Sequence, residues 1–354
     1  MFRESMSGSA RLRLSVRSRT VRLKSPLQTA YGAVCERELL TVTLTDADGL
    51  AGWGEAAPLR AYDGVSAARV KDALQRYAPA LADAQERSGA QVVEACRVIE
   101  DLPQALAAVD MALWDRAGRR AGRRVAELLV DDPADEVMVN ATIGAIDRQG
   151  AAEQAAKAAA DGFECIKVKV GVGDDAGRVA AVRAAAGARP ALRLDANGAW
   201  DVQEAVRAIE ALTPAGLELV EEPTHGLRAV REVRERVSAR IAIDETAAEP
   251  GALGAGVADA VCLKVGRCGG ISGLIAAAAL VRSSGAEVYL ASALDGPLGV
   301  AAALHAAAAL ASRGPVPACG LATLGMFEGI DEELPVARGR IALPSAPGLG
   351  VGPL

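Results

Sequence analysis

Ionisable residues recur through the second half of the chain at nearly even spacing: Lys167 and Lys169, then Asp195, Glu221, Asp244 and Lys264. Successive sites stand roughly 20–26 residues apart, the length of one strand-plus-helix unit. Each closes a short apolar run: Lys167-Val168-Lys169, Asp195-Ala196-Asn197, Glu221-Glu222-Pro223, Asp244-Glu245 and Lys264. One strand running into a loop often meets a charge; five in succession is a different matter. Charges gathered near a core are costly unless paired or metal-bound. Asp195, Glu221 and Asp244 brought together would repel and raise one another's pKa values. A hard divalent cation resolves this, and three carboxylate oxygens with room for water or substrate suit Mg²⁺, with Mn²⁺ as a substitute.

The lysines complete that chemistry. A strand period of two sends Lys167 and Lys169 to one face and Val168 to the other. Two ammonium groups close together near a metal disfavour each other's protonation, so one can act as a base near neutral pH. Lys264, four strands on, would stand across from Lys169. The set suits removal of a proton α to a carboxylate: the cation offsets the enediolate charge and a lysine takes the proton.

Such groups need a scaffold that points strand ends at one mouth. From about residue 131, apolar runs alternate with alanine-rich helical stretches. The runs are 137–143, 165–170, 191–195, 217–220, 241–243, 258–263 and 287–291, with a weaker one at 316–321. That alternation predicts βαβ units and a parallel sheet. Eight runs fit a (β/α) barrel better than an open doubly wound sheet. Before it, residues 11–23 and 38–46 alternate as half-buried strands. Asp46-Ala47-Asp48-Gly49 marks a hairpin turn, and helical stretches follow near 65–83, 90–100 and 103–119. Residues 1–130 therefore form an α+β unit and 131–324 the barrel. Gly171-Val172-Gly173 follows a strand, but the next glycine, Gly177, falls one residue late for a dinucleotide fingerprint.

Composition narrows the function. The 354 residues carry a net charge of −6, which leaves no basic excess for nucleic acid. Two histidines, His225 and His305, supply little for a zinc site or a serine triad. The six cysteines show no C-x-x-C pair, and Cys165 and Cys262 fall in apolar runs as small core residues. No secretory or membrane-spanning pattern is visible, so a reduced, cytoplasmic setting is expected. A homo-oligomer is compatible with the sequence.

At these residues the chain resembles the enolase superfamily, in its muconate-lactonising-enzyme subgroup. The match extends to Gly269-Gly270 after Lys264, and in the first unit to Gly52-Trp53-Gly54-Glu55-Ala56-Ala57-Pro58 and Ala108–Asp115. A lysine base with Mg²⁺ is a known property of that superfamily. The resemblance implies an α/β fold: a modified (β/α)₇β TIM-type barrel under an α+β cap that residues 325–354 return to complete. It implies Mg²⁺ on Asp195, Glu221 and Asp244. Lys169 would be the base, Lys264 the opposing lysine, and Lys167 a group that tunes Lys169 and touches the substrate carboxylate. Glu222 and Glu245 alternate away from the ligand face and receive no ligand role; Asn197 is either a neighbour of the ligands or a turn residue.

Ser292, Asp295 and Gly299, followed by Gly320-Leu321-Ala322-Thr323-Leu324, look most like o-succinylbenzoate synthases. Dipeptide epimerases of the subgroup carry Asp-x-Asp where Gly320-Leu321-Ala322 stands. The implied activity is a lyase reaction, dehydration of 2-succinyl-6-hydroxy-2,4-cyclohexadiene-1-carboxylate in menaquinone biosynthesis. The alternatives are an N-acylamino-acid (N-succinylamino-acid) racemase and, further off, a muconate cycloisomerase or dipeptide epimerase. Asn197, Ser292, Asp295 and Tyr31 are the expected substrate contacts; Tyr31 and Tyr62, in cap loops, either line the pocket or pack. His225 is expected in a solvated loop at the mouth and His305 in a structural role.

Overall fold

The computed structural model describes residues 11–29, 32–84 and 87–354. Tyr31 lies outside them. The chain begins with an antiparallel sheet of β1 (Arg13–Thr29), β2 (Gly32–Thr45) and β3 (Ala51–Ala56) in that order. A register shift between Arg22 and Leu27 interrupts the first hairpin near Pro26, whose ring removes a ladder donor. Five helices follow: α1 (Arg60–Asp63), α2 (Ala67–Ala82), α3 (Gly89–Ile99), α4 (Pro103–Ala121) and α5 (Val125–Leu129). Leu40, Val42, Leu74, Tyr77, Leu106 and Val109 close a core between this sheet and its helices.

Helix α4 lies directly on β3, and glycines permit the approach. A Cβ at Gly54 would collide with the Ala108 carbonyl oxygen, and one at Gly52 with the Ala112 carbonyl oxygen. Gly54→Ala is therefore expected to cost about 3 kcal/mol, read as a lower denaturation midpoint at unchanged m-value.

The second unit opens with β4 (Glu136–Met138) and β5 (Ala141–Ile143). Helices and strands then alternate, except that no α-helix separates β9 from β10: α6 (Arg148–Ala160), β6 (Cys165–Lys169), α7 (Asp175–Ala186), β7 (Ala191–Asp195), α8 (Val202–Leu212), β8 (Leu217–Glu221), α9 (Leu227–Arg236), β9 (Ile241–Ile243), β10 (Ala260–Leu263) and α10 (Ile271–Ser283). Then come β11 (Glu287–Leu290), α11 (Pro297–Ala311) and a terminal hairpin, β12 (Val336–Ala337) and β13 (Arg340–Ala342). Strands β5 to β11 form one parallel sheet in sequence order. Asp147, Asp174 and Asp201 start α6, α7 and α8 by accepting backbone N–H bonds from Gly150, Gly177 and Glu204.

Two expectations need correction. The run 137–143 is not one strand: β4 pairs antiparallel with β13, and only β5 joins the barrel. The eighth run forms no ladder. Pro315 and Pro317 lack the donors one would need, and closure falls to single bridges, Val139 with Cys319 and Ala291 with Gly320.

Helix α11 is buried along nearly its whole length, against α5, β3 and α10, which explains its alanine content. On it His305 accepts a hydrogen bond at Nδ1 from the Ala126 N–H and hydrogen-bonds the Leu349 carbonyl through Nε2. The imidazole is thus neutral, and burial lowers its pKa to about 4. An unfolded histidine titrates near 6.5, so this stabilisation is present above that pH and disappears as pH falls toward 4. Between about pH 7.5 and pH 4.5, His305→Gln should lose about 2.5 kcal/mol less unfolding free energy than the parent. Urea titrations at the two pH values would show it. Among the described residues, no helix is long and apolar enough to cross a membrane.

Candidate active site

The C-terminal ends of the barrel strands open under the cap onto a cavity of about 110 Å³. Lys167, Lys169, Asp195, Asn197, Asp244, Lys264 and Ser292 line it. Lys167 Nζ bridges Asp195 Oδ2 at 2.8 Å and Glu221 Oε1 at 2.7 Å. Lys169 Nζ donates to Asp195 Oδ2 at 2.6 Å and to Asn197 Oδ1 at 2.7 Å. Lys264 pairs with both carboxylate oxygens of Asp244. Lys167, Lys169, Asp195 and Glu221 thus share one set of ion pairs, and Lys264 with Asp244 forms a second beside it.

The electrostatics follow from burial against pairing. Burial pushes the Asp195 carboxyl up, but Lys167 and Lys169 outweigh it and hold it below the ordinary range. Lys264 and Lys167 do the same for Asp244. Glu221 is raised, because burial and its carboxylate neighbours exceed what Lys167 offsets. Burial opposes the charge on Lys167 and Lys264, yet Asp195 and Glu221 raise the first and Asp244 the second. Around Lys167 the nearby carboxylates outweigh burial.

Several residues around the network have defined tasks. Asn197, at φ 45°, accepts from Lys169 and donates through Nδ2 to Glu245 Oε1 at 3.0 Å. Glu222, also left-handed at φ 41°, accepts from the backbone N–H groups of Asp244 and Thr246 and from the Thr246 hydroxyl. It thereby fixes the bend that presents Asp244. His225 is exposed in the loop after β8, as expected, and its Nδ1 lies 3.0 Å from Glu222 Oε1. Burial beside Asp244 and Asp195 raises the Glu245 carboxyl to about 7.

Two tyrosines do more than the sequence revealed. Tyr62, from the cap, donates to Asp244 Oδ1 at 2.8 Å and accepts from Lys264 at 3.0 Å and Arg267 at 2.8 Å. Tyr289 donates to Glu221 Oε2 at 2.7 Å. Tyr289 and Cys262 could have been found from strand alternation, since each stands two residues before a mouth position. Tyr62, expected either to line the pocket or to pack, lines the cavity, and its bond to Asp244 spans cap and barrel.

Asp295 is placed elsewhere. Left-handed Leu294 turns the chain, and Asp295 accepts from the Ala293 N–H at the cap–barrel seam beside Glu55 and Arg37. It borders a smaller cavity rather than the main one, because its side chain folds back over its own turn.

The donor set fits a divalent cation. Asp195, Glu221 and Asp244 are almost completely buried, and the positive charge they need is supplied by ammonium groups seated among them. Hard oxygen donors of this kind suit Mg²⁺.

Comparison with known proteins agrees with this architecture. Residues 150–353 match the enolase C-terminal domain-like family, and residues 11–130 match the mandelate racemase/muconate lactonizing enzyme N-terminal domain. The hydrophobic dipeptide epimerase of Enterococcus faecalis is 30% identical over 349 residues, covering 95% of this chain and 98% of that protein. The structure of the Enterococcus faecalis dipeptide epimerase with Mg and the dipeptide L-Leu-L-Tyr superposes with a TM-score of 0.87 at 27% identity, over 96% of this chain and 99% of that one. The o-succinylbenzoate synthase of Thermobifida fusca is 43% identical over 203 residues, covering 54% of this chain and 61% of the synthase. By the two domain matches and the full-length relatives, the chain belongs to the mandelate racemase/muconate lactonizing enzyme branch of the enolase superfamily.

Proposed function

We propose that this protein removes a proton α to the carboxylate of a small molecule, and that its reaction is the o-succinylbenzoate synthase reaction. The observation that carries the first statement is the joint placement of Lys169, Lys264, Asp195 and Asp244 around one cavity, with buried Glu221 held beside them by Lys167. Asp195, Glu221 and Asp244 would hold Mg²⁺, or Mn²⁺ in its place. When bound, the cation supplies positive charge against the substrate carboxylate as it gains negative charge.

The protein's own groups account for the rest. Asn197 and Asp195 aim the Lys169 amine, which takes the α-proton. The carbon–oxygen bond then breaks, and the same ammonium returns its proton to the departing hydroxide, so water and an aromatic ring result. Lys264, held by Asp244 and Tyr62, stays protonated on the other side. Lys167 keeps the carboxylates together.

The cavity wall supports the lyase over a dipeptide substrate. Gly320 lines it where an amine-binding carboxylate would be needed, and Leu27, Val34, Leu59, Leu294 and Met326 make its outer part apolar. The stretch of higher identity to a synthase is consistent with this reading. An N-succinylamino-acid racemase is the second reading, favoured by lysines on two sides of the cavity, where Lys169 and Lys264 would act as base and acid. Purified protein with Mg²⁺ should abolish the cyclohexadiene ultraviolet absorbance of the proposed substrate. An unchanged absorbance, together with racemisation of N-succinyl amino acids, would replace the first reading by the second.

A further inference from the structure

The floor of the carboxylate cluster contains a sulfur. Cys262 on β10 and Lys264, the residue just past its end, stand two apart, so both face the barrel mouth, where Lys264 Nζ comes within 3.9 Å of Cys262 Sγ. Cys262 is 2% exposed. Its Sγ, one oxygen of Glu221 and one oxygen of Asp244 all lie within 4.8 Å of one another. Donors on opposite sides of a single zinc-sized ion are roughly 4.4 Å apart, given metal–sulfur and metal–oxygen bonds of about 2.3 and 2.1 Å. The three groups therefore span one ion with small side-chain movements. Electrostatics agree, because a cation already occupies the spot: Lys264 Nζ lies 3.9 Å from Sγ while paired with Asp244. Tyr289 donates to one Glu221 oxygen and Lys167 to the other, so an ion that enters takes the place of one of these donors as well.

Mg²⁺ gains nothing from sulfur, whereas Co²⁺, Zn²⁺ and Cd²⁺ bind thiolate strongly. We propose that Glu221, Asp244 and Cys262 form a binding site for a thiophilic divalent cation, which competes with Mg²⁺ for the shared carboxylates. Binding breaks the Cys262 S–H bond, forms a sulfur–metal bond and releases the proton to solvent; no electron is transferred. Lys264 must leave Asp244 as the ion enters. The inference rests on the proposal that these carboxylates hold a cation.

Co²⁺ titrated into the metal-free full-length protein tests it by absorbance. The expected result is a near-ultraviolet thiolate-to-cobalt charge-transfer band that Mg²⁺ displaces and that Cys262→Ser lacks. Cd²⁺ should also bind the parent at least about tenfold more tightly than the variant by calorimetry. Cys262→Ala, checked by circular dichroism, serves if the serine variant does not fold. A band of equal strength in the folded variant places the thiolate at another cysteine and overturns the proposal. So does Co²⁺ bound and displaced by Mg²⁺ without any band. Failure of Mg²⁺ itself to bind the parent overturns the cation-site reading as well, which separates the two failures.

Discussion

Lys169→Ala is expected to lower kcat/KM by about 10³–10⁴-fold, the contribution of a positioned general base, with Mg²⁺ affinity retained. Lys169 is held by Asn197 and by Asp195, but Asp195 is also held by Lys167. Removing Lys169 thus leaves that carboxylate paired and the cluster intact. The loss should fall on kcat, because the proton is moved only in the transition state. Lys264 separates the readings. In the lyase it contributes charge, so Lys264→Arg should keep part of the turnover; a two-base racemase should lose it. Steady-state kinetics of both variants, with calorimetric Mg²⁺ titration, give the comparison.

Removal of the divalent cation should cost at least about 10³-fold in turnover, equivalent to some 4 kcal/mol of charge stabilisation. The loss should be reversible. Asp195, Glu221 and Asp244 are each already paired with Lys167, Lys169 or Lys264, so the cluster does not depend on a cation to stay assembled. Chelation followed by added Mg²⁺ should therefore restore activity without refolding. Glu221→Gln should be equally inactive yet unresponsive to Mg²⁺. Activity that survives exhaustive chelation would remove the cation from the reaction.

The lysines and carboxylates of the candidate site are legible in the sequence because each stands at a strand end, and strand ends in a parallel barrel share one mouth. Their partners were less so, for particular reasons. Glu222 was set aside on alternation, but its left-handed backbone breaks the alternation and turns the carboxylate onto the Asp244 and Thr246 amides. Tyr62 reaches Asp244 across 182 residues of chain, a contact no local pattern encodes. Asp295 read as a mouth residue until the turn at Leu294 sent it to the seam. In the fold, residues 137–143 look like one strand in sequence because the partner of β4, β13, lies some 200 residues away. Cys262 shared an apolar run with core residues, and only its spacing from Lys264 marked it as facing the carboxylates.

The most direct test of the account is single-turnover conversion of the cyclohexadiene carboxylate carrying deuterium at its α-carbon, with Mg²⁺ and after chelation. Proton removal by lysine under a cation's influence predicts slower conversion than for the protiated substrate when Mg²⁺ is present, and none once it is chelated. Equal rates for the two substrates, or conversion that continues without the cation, would contradict it.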